Sequence, residues 1–174
     1  MPVVLTRIDD RLIHGQVIVG WVPVTHANFI IVINDKVAKD EMQKCLMKMA
    51  VPPHIQAVIY TVDGFNLTME SPEIKGHNVL VLVTNPKDLV RLAEKGFKPV
   101  KINLGGMRHA TKKIEYTKSI FLDDADIEDF TKLKSLGIHT EIQMVPTDKP
   151  VDFFECLLNR QCELKDEKEK KEGL

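Results

Sequence analysis

Residues 7–16, Arg7-Ile8-Asp9-Asp10-Arg11-Leu12-Ile13-His14-Gly15-Gln16, bring two guanidinium groups, two carboxylates, an imidazole and a glycine into ten positions. A neutral imidazole is a nucleophile near physiological pH, and a phosphoryl group can be passed onto one of its nitrogens and off again. Such transfer is loose and in line, so positioning and charge neutralisation supply most of the catalysis. His14 is the candidate nucleophile. Arg11, three residues earlier, is the candidate clamp, because its planar fork of donors matches phosphoryl oxygens. The N–H groups of Ile13, Gly15 and Gln16, at the start of a predicted helix, are candidate phosphate donors. Gly15 also lets the chain approach a phosphate with no Cβ in the way. The competing reading of His14 is a loop or core histidine without chemistry; the arginine and the helix start favour function.

Asp9 and Asp10 would repel a phosphate and need an account of their own. Each either orients Arg11 or His14 by accepting a hydrogen bond, or braces the loop and caps the helix. Asp10 is the candidate orienting residue; for Asp9 the two readings stand level. Further along, Thr84 closes an apolar run and offers a hydroxyl, with helix capping as the alternative. Gly105 and Gly106 follow another run and form either an anion-binding nest or a plain turn. Arg7 and Arg11 beside the histidine, with Lys98, Lys101, Arg108, Lys112 and Lys113 around the Gly-Gly segment, read as a solvated face or as a rim favouring phosphate or an acidic partner. Arg108 and His109 are expected at the surface, within reach of a docked protein.

These groups need a scaffold, and the pattern along the chain alternates strand and helix. Phe29–Ile33 and Val79–Val83 are continuous apolar runs, as in strands covered on both faces. Val3–Leu5, Ile55–Tyr60, Val100–Leu104 and Ser119–Leu122 add strands. Ile138–Val145 alternates apolar and polar residues, which predicts an edge strand, antiparallel if it departs from the rest. One helical stripe is Ala38, Met42, Cys45, Leu46 and Met49, with Cys45 in the core. A second helix follows Asn85-Pro86 and stops at Gly96. A third is capped by Asp123-Asp124 and ends at Gly137. Pro150 opens a last, short amphipathic helix with Val151, Phe154, Leu157 and Leu158. The expected fold is a single-domain α/β one, an open, mostly parallel twisted sheet of six to seven strands flanked by helices. Ligands in such sheets bind at the carboxyl ends of the strands.

The run RIDDRLIHGQV resembles the active-site loop of the IIB components of the mannose/fructose/sorbose family of the sugar phosphotransferase system. The likeness continues through Trp21, residues 32–38, Pro52, Asn103-Leu104-Gly105-Gly106-Met107 and Val145-Pro146, and so spans residues 1–158. The resemblance implies a phosphotransferase subunit: a phosphohistidine carrier in which the histidine matched by His14 is phosphorylated and the arginine matched by Arg11 assists. The implied partners are a IIA protein or domain as donor, membrane IIC and IID components, and a sugar. Mannose, fructose, sorbose and amino sugars stay open, as does a homo-oligomer. The implied location is the cytoplasm, on the membrane permease complex, with no cofactor. Two other readings remain: a regulatory module of the same fold that senses phosphorylated partners without sugar turnover, and an unrelated doubly wound enzyme using His14 as acid or base.

Composition fits this picture. The 174 residues, 44% hydrophobic and 28% charged, suffice for one domain with a sizeable core. A net charge of −1 gives no reason to expect nucleic acid or membrane binding. Cys45, Cys156 and Cys162 are an odd number without metal-ligand spacing, and the six histidines lack it too, so neither a disulfide framework nor a metal site is expected. No G-x-G-x-x-G follows the first strand, which argues against a dinucleotide. No apolar run reaches a membrane span of about 20 residues, and a strand from the first residues leaves no room for a signal peptide. The domain is expected over 1–162, with 163–174 as a charged tail, frayed or disordered.

Overall fold

A computed structural model describes residues 3–68, 72, 74–108 and 110–160. The elements are β1 (Val3–Asp9), a π-helical stretch (Gln16–Trp21) running into α1 (Val22–Thr25), β2 (Phe29–Ile33), a 3-10 turn (Val37–Lys39) and α2 (Glu41–Met49). They continue with β3 (Gln56–Tyr60), α3 (Val62–Thr68), β4 (Val79–Val83), α4 (Pro86–Glu94), β5 (Lys101–Gly106), β6 (Ile114–Thr117) and β7 (Ile120–Leu122). Last come α5 (Asp124–Ser135), β8 (His139–Ile142), β9 (Val151–Asp152) and a helix α6 over 153–160. His109, Cys162 and the expected tail 163–174 lie outside the described residues.

Seven strands form one sheet in the order β3-β2-β4-β1-β5-β8-β9, parallel except for the β8–β9 pair. Strand period fills two cores. In β2 and β4, Phe29, Ile31, Ile33, Val79, Val81 and Val83 face one side, while Ile30, Val32, Leu80 and Leu82 face the other. The first core packs against α3, α4, α5 and α6; the second against Val17, Trp21 and Val22 of the first helical segment and Met47 of α2. The chain thus leaves β1 across one face towards β2, and leaves the neighbouring β4 across the opposite face towards β5. That divergence opens a crevice at the carboxyl ends of β1 and β4, the usual ligand position in such folds.

Local signals account for the helix ends. The Asn85 side chain accepts from Asp88 N at 2.9 Å and Pro86 follows, so α4 starts there. Asp123 and Asp126 form a reciprocal capping box at the start of α5. Gly96 and Gly137 have φ of +99° and +79°, the left-handed geometry that ends both helices.

Four expectations change. The strand at 119–122 pairs with β6 in a separate two-stranded antiparallel sheet, outside the main one. Residues 139–142 are not the edge: β8 runs parallel to β5, and the antiparallel edge is β9, where Val151 and Asp152 were expected in a helix. The helix starts at 153 because Asp152 caps it, accepting from Phe154 N and Glu155 N at 2.8 and 2.9 Å. Consequently Phe153 and Leu157, rather than Leu158, reach the core. Finally, the stripe on α2 faces water: Met42, Leu46 and Met49 are 75, 60 and 78% exposed, and Cys45 is exposed as well. Only Met47, on the other side of that helix, packs against the core.

Candidate functional site

The site grows out of β1. Residues 7 and 9 share one face of the strand, and Ile8 points to the opposite core. Both Arg7 and Asp9 are fully buried. Arg7 Nη2 is 3.0 Å from Asp9 Oδ2, and Nε reaches the same oxygen at 3.3 Å. The remaining donors are used on Asn103 Oδ1 and on the carbonyls of Gln143 and Met144, both at 3.0 Å. The guanidinium also stacks 4.9 Å from the Trp21 ring centroid. The sheet makes room for it at one glycine. Pairing of β1 with β5 shifts from Ile8↔Leu104 to Asp9↔Gly106, leaving Gly105 as the extra residue of a bulge. A Cβ on Gly105 would lie 1.8 Å from Arg7 Nη2.

Beyond β1 the chain turns sharply. Asp10 N donates to Gly106 O at 3.1 Å and Leu12 N to Asp9 O at 2.9 Å. Leu12 holds φ at +56° while its side chain is buried, a conformation that costs a non-glycine residue about 1 kcal/mol and is held here by the packing of that side chain. Val17 and Ile18 N then donate to His14 O at 3.0 and 3.1 Å, the first bonds of the helical segment. The N–H groups of residues 13–16 precede that ladder, as helix-start amides do.

This turn lays His14 and Arg11 over Asp9. His14 Nε2 is 3.0 Å from Asp9 Oδ2, and the His14 side chain remains 17% exposed. Arg11 N and Nε reach Asp9 Oδ1 at 3.2 and 3.3 Å, and Nη2 donates to Gln16 Oε1 at 2.9 Å. Burial opposes ionisation of Asp9, yet the hydrogen bond from His14 and the charge of Arg7 outweigh it and hold the carboxyl down to about 2. An ionised carboxylate only accepts, so Nε2 is the nitrogen that turns a proton towards Asp9, and in the neutral ring Nδ1 is the one with the lone pair. Burial also lowers the Arg7 pKa from its ordinary value, against the pull of Asp9.

The orienting role expected of Asp10 falls to Asp9. Asp10 lies past the strand end and pairs instead with Arg108, whose Nε is 2.5 Å from Asp10 Oδ2. Gly105 and Gly106 are strand residues without positive φ, so they form neither a turn nor a nest. They do line a cleft of about 230 Å³ together with Arg11, Gln16, Arg108 and Lys118. Thr84 lies in the β1–β4 crevice, a space of about 410 Å³ shared with Asp10, Asn85, Arg108 and Lys113. Its oxygen accepts from Asn34 Nδ2 and Asn85 Nδ2 at 3.0 and 2.9 Å, so the hydroxyl hydrogen is left to donate elsewhere. Ile13 is buried; Gly15 is exposed with nothing near its missing Cβ. Arg7 does not join the rim, and Lys101 and Lys113 are paired with Glu141 and Asp126. Sequence reasoning thus missed Arg7 as a buried brace and left Asp9 undecided. The signal available was their i, i+2 spacing on a strand that continues past Leu5.

An open, mostly parallel α/β sheet with a histidine turn at the end of its first strand defines the class of protein. The family model for the sorbose subfamily IIB component of the PTS system matches residues 3–169. The chain is 37% identical over 159 residues to the PTS system fructose-specific EIIB component of Bacillus subtilis, covering 91% of this chain and 98% of that one. It is 38% identical over 157 residues to the mannose-specific EIIAB component of Escherichia coli, covering 90% of this chain but 49% of that longer protein. The solved IIBSor domain of the sorbose permease from Klebsiella pneumoniae superposes with a TM-score of 0.86 at 33% identity, covering 91% of this chain and 98% of the domain. This chain belongs to the sorbose-type family of phosphotransferase-system IIB components.

Proposed function

We propose that the chain is a phosphohistidine carrier that takes a phosphoryl group from a IIA histidine onto His14 and passes it to a hexose entering through membrane IIC and IID components. The fructose, mannose and sorbose relatives support the sugar class, and the EIIAB relative supports a IIA partner. Its working place is then the cytoplasmic face of that permease; no helix among the described residues is long and apolar enough to cross a membrane. The observation that carries the reading is the Asp9–His14 contact, which reserves Nε2 and leaves Nδ1 as the nucleophile.

In the transfer, the Nδ1 lone pair attacks phosphorus while the donor's N–P bond breaks and its electron pair returns to the donor imidazole. Positive charge develops on the His14 ring, and Asp9 stabilises it through Nε2–H. Arg11, 40% exposed and held by Asp9 and Gln16, meets the equatorial oxygens. Helix-start N–H groups of Ile13, Gly15 and Gln16 add donors. Thr84 and the cleft at Gly105 and Gly106 receive the outer oxygens or the partner's approach. In the second transfer a sugar hydroxyl oxygen attacks phosphorus, the P–Nδ1 bond breaks with its electron pair returning to the His14 ring, and the hydroxyl proton leaves to solvent.

The test is incubation with the general phosphotransferase proteins and labelled phosphoenolpyruvate. An acid-labile, base-stable label that is absent in His14→Ala is expected, and the label should leave when sugar and the membrane partners are added. A label retained in His14→Ala, or none in the wild type, overturns the carrier. A label indifferent to sugar and permease supports the sensing module instead.

A further inference from the structure

Arg7 cannot touch a phosphoryl group: it is fully buried, and its donors are taken by Asp9, Asn103, Gln143 O and Met144 O. A buried arginine beneath a reactive histidine needs a reason, because burying a charge is costly unless it is paired. A carboxylate alone against an imidazole favours the protonated ring, which has no lone pair to attack with. Here the carboxylate is shared. Asp9 Oδ2 takes Arg7 and His14 together, and Oδ1 takes Arg11.

The charges around the ring can be counted. Arg7 and Arg11 face Asp9 from β1 and from the turn, so two guanidinium groups oppose one carboxylate. Asp10 is neutralised by Arg108, and the 143–144 segment contributes carbonyls only. The cluster carries +1 before the imidazole takes a proton, and +2 after. The second state is opposed by repulsion, which is screened least between the ring and the fully buried Arg7.

We propose that Arg7 is a positioning residue acting through Asp9: it holds the carboxylate in place for Nε2–H while offsetting its charge, so that Asp9 orients the ring without drawing a second proton onto it as an uncompensated carboxylate would. Gly105 is its structural companion, since only a residue without Cβ leaves space for the guanidinium. The inference deepens the carrier reading and rests on it for its purpose, but its test involves no phosphoryl transfer.

That test is an NMR titration of the His14 ring, assigned by difference against His14→Gln, in the full chain. In Arg7→Met the titration midpoint moves up by about one pH unit, the scale of removing one nearby charge. Arg7→Lys, which keeps the charge, brings it most of the way back. Asn103→Asp keeps the size of the side chain and the contact with Arg7 but gives the guanidinium a second carboxylate, and moves the midpoint in the same upward direction. A midpoint unmoved or lowered in Arg7→Met overturns the proposal. If that variant does not fold, an unmoved or lowered midpoint in Asn103→Asp overturns it. Phosphoramidate labelling of wild-type His14, run alongside, separates the two claims: absent label with the expected shifts removes the carrier and leaves the role of Arg7 standing.

Discussion

Two clusters of charge lie near the carboxyl ends of the central strands. At β1, Arg7, Asp9, His14 and Arg11 share one carboxylate, with Arg7 and Asp9 shut away from solvent. Beyond β2 and on α4, Arg91 reaches Asp35 at 2.7 Å, Asp88 at 3.2 Å and Asp63 at 4.0 Å, while Lys95 also pairs with Asp63. The second cluster has four ion pairs against three, but Asp63 is 76% exposed and Asp35 38%. Water screens such pairs, so their hydrogen bonds hold Asp35 below and Arg91 above their ordinary pKa values without fixing a chemistry. In the first cluster the shared carboxylate and Arg7 are dry, and only Arg11 and the edge of the His14 ring reach solvent. The difference is one of dielectric and satisfaction, not of the number of contacts.

Substitutions sharpen that contrast. The largest effect is expected for Asp9→Leu, which strands the buried Arg7. Stability falls by roughly 3–5 kcal/mol in urea unfolding, and label transfer is lost. Gly105→Ala follows at about 3 kcal/mol, because the new Cβ falls within the guanidinium. Arg11→Ala should leave stability within about 0.5 kcal/mol but slow transfer by roughly 2–4 kcal/mol in rapid-quench labelling. Arg91→Ala, at the exposed cluster, costs about 1 kcal/mol or less and leaves transfer unchanged. A loss above that, or one insensitive to salt, would erase the distinction between the clusters.

Acid tests the same contrast. Asp9 titrates at about 2 in the fold, against an ordinary 3.8. A lowered folded-state pKa means that the unfolded chain binds the proton more readily. Its contribution is therefore full above about pH 4 and fades as pH falls towards 2. Urea midpoints measured across that window should drop in the wild type, and drop less in Asp9→Asn.

Much of the scaffold could be read from the chain. The unbroken apolar runs at 29–33 and 79–83 have one explanation, a strand with both faces covered. The Asn85-Pro86 and Asp123 starts, with Gly96 and Gly137 as stops, are local chemistry that tertiary structure did not override. Asp9 and Asp10 could not be told apart because the choice depends on where β1 ends, one residue deciding between a buried face and a rim. Arg7 escaped because a charged residue in a strand gives no hint of a cavity opposite, and that cavity is a missing Cβ on another strand. The stripe on α2 misled for the opposite reason: helical spacing places Met42, Cys45, Leu46 and Met49 together but does not say which side of the helix meets the sheet.

That outward stripe has a chemical cost. Two thioethers and a thiol stand along one ridge in open water, whereas Met107 is buried at 3% exposure. Among the described residues peroxide will therefore reach α2 first, turning Met42 and Met49 into polar sulfoxides and Cys45 into a sulfenic acid. The ageing of a purified sample should be visible by mass spectrometry on this helix long before anything changes at the imidazole.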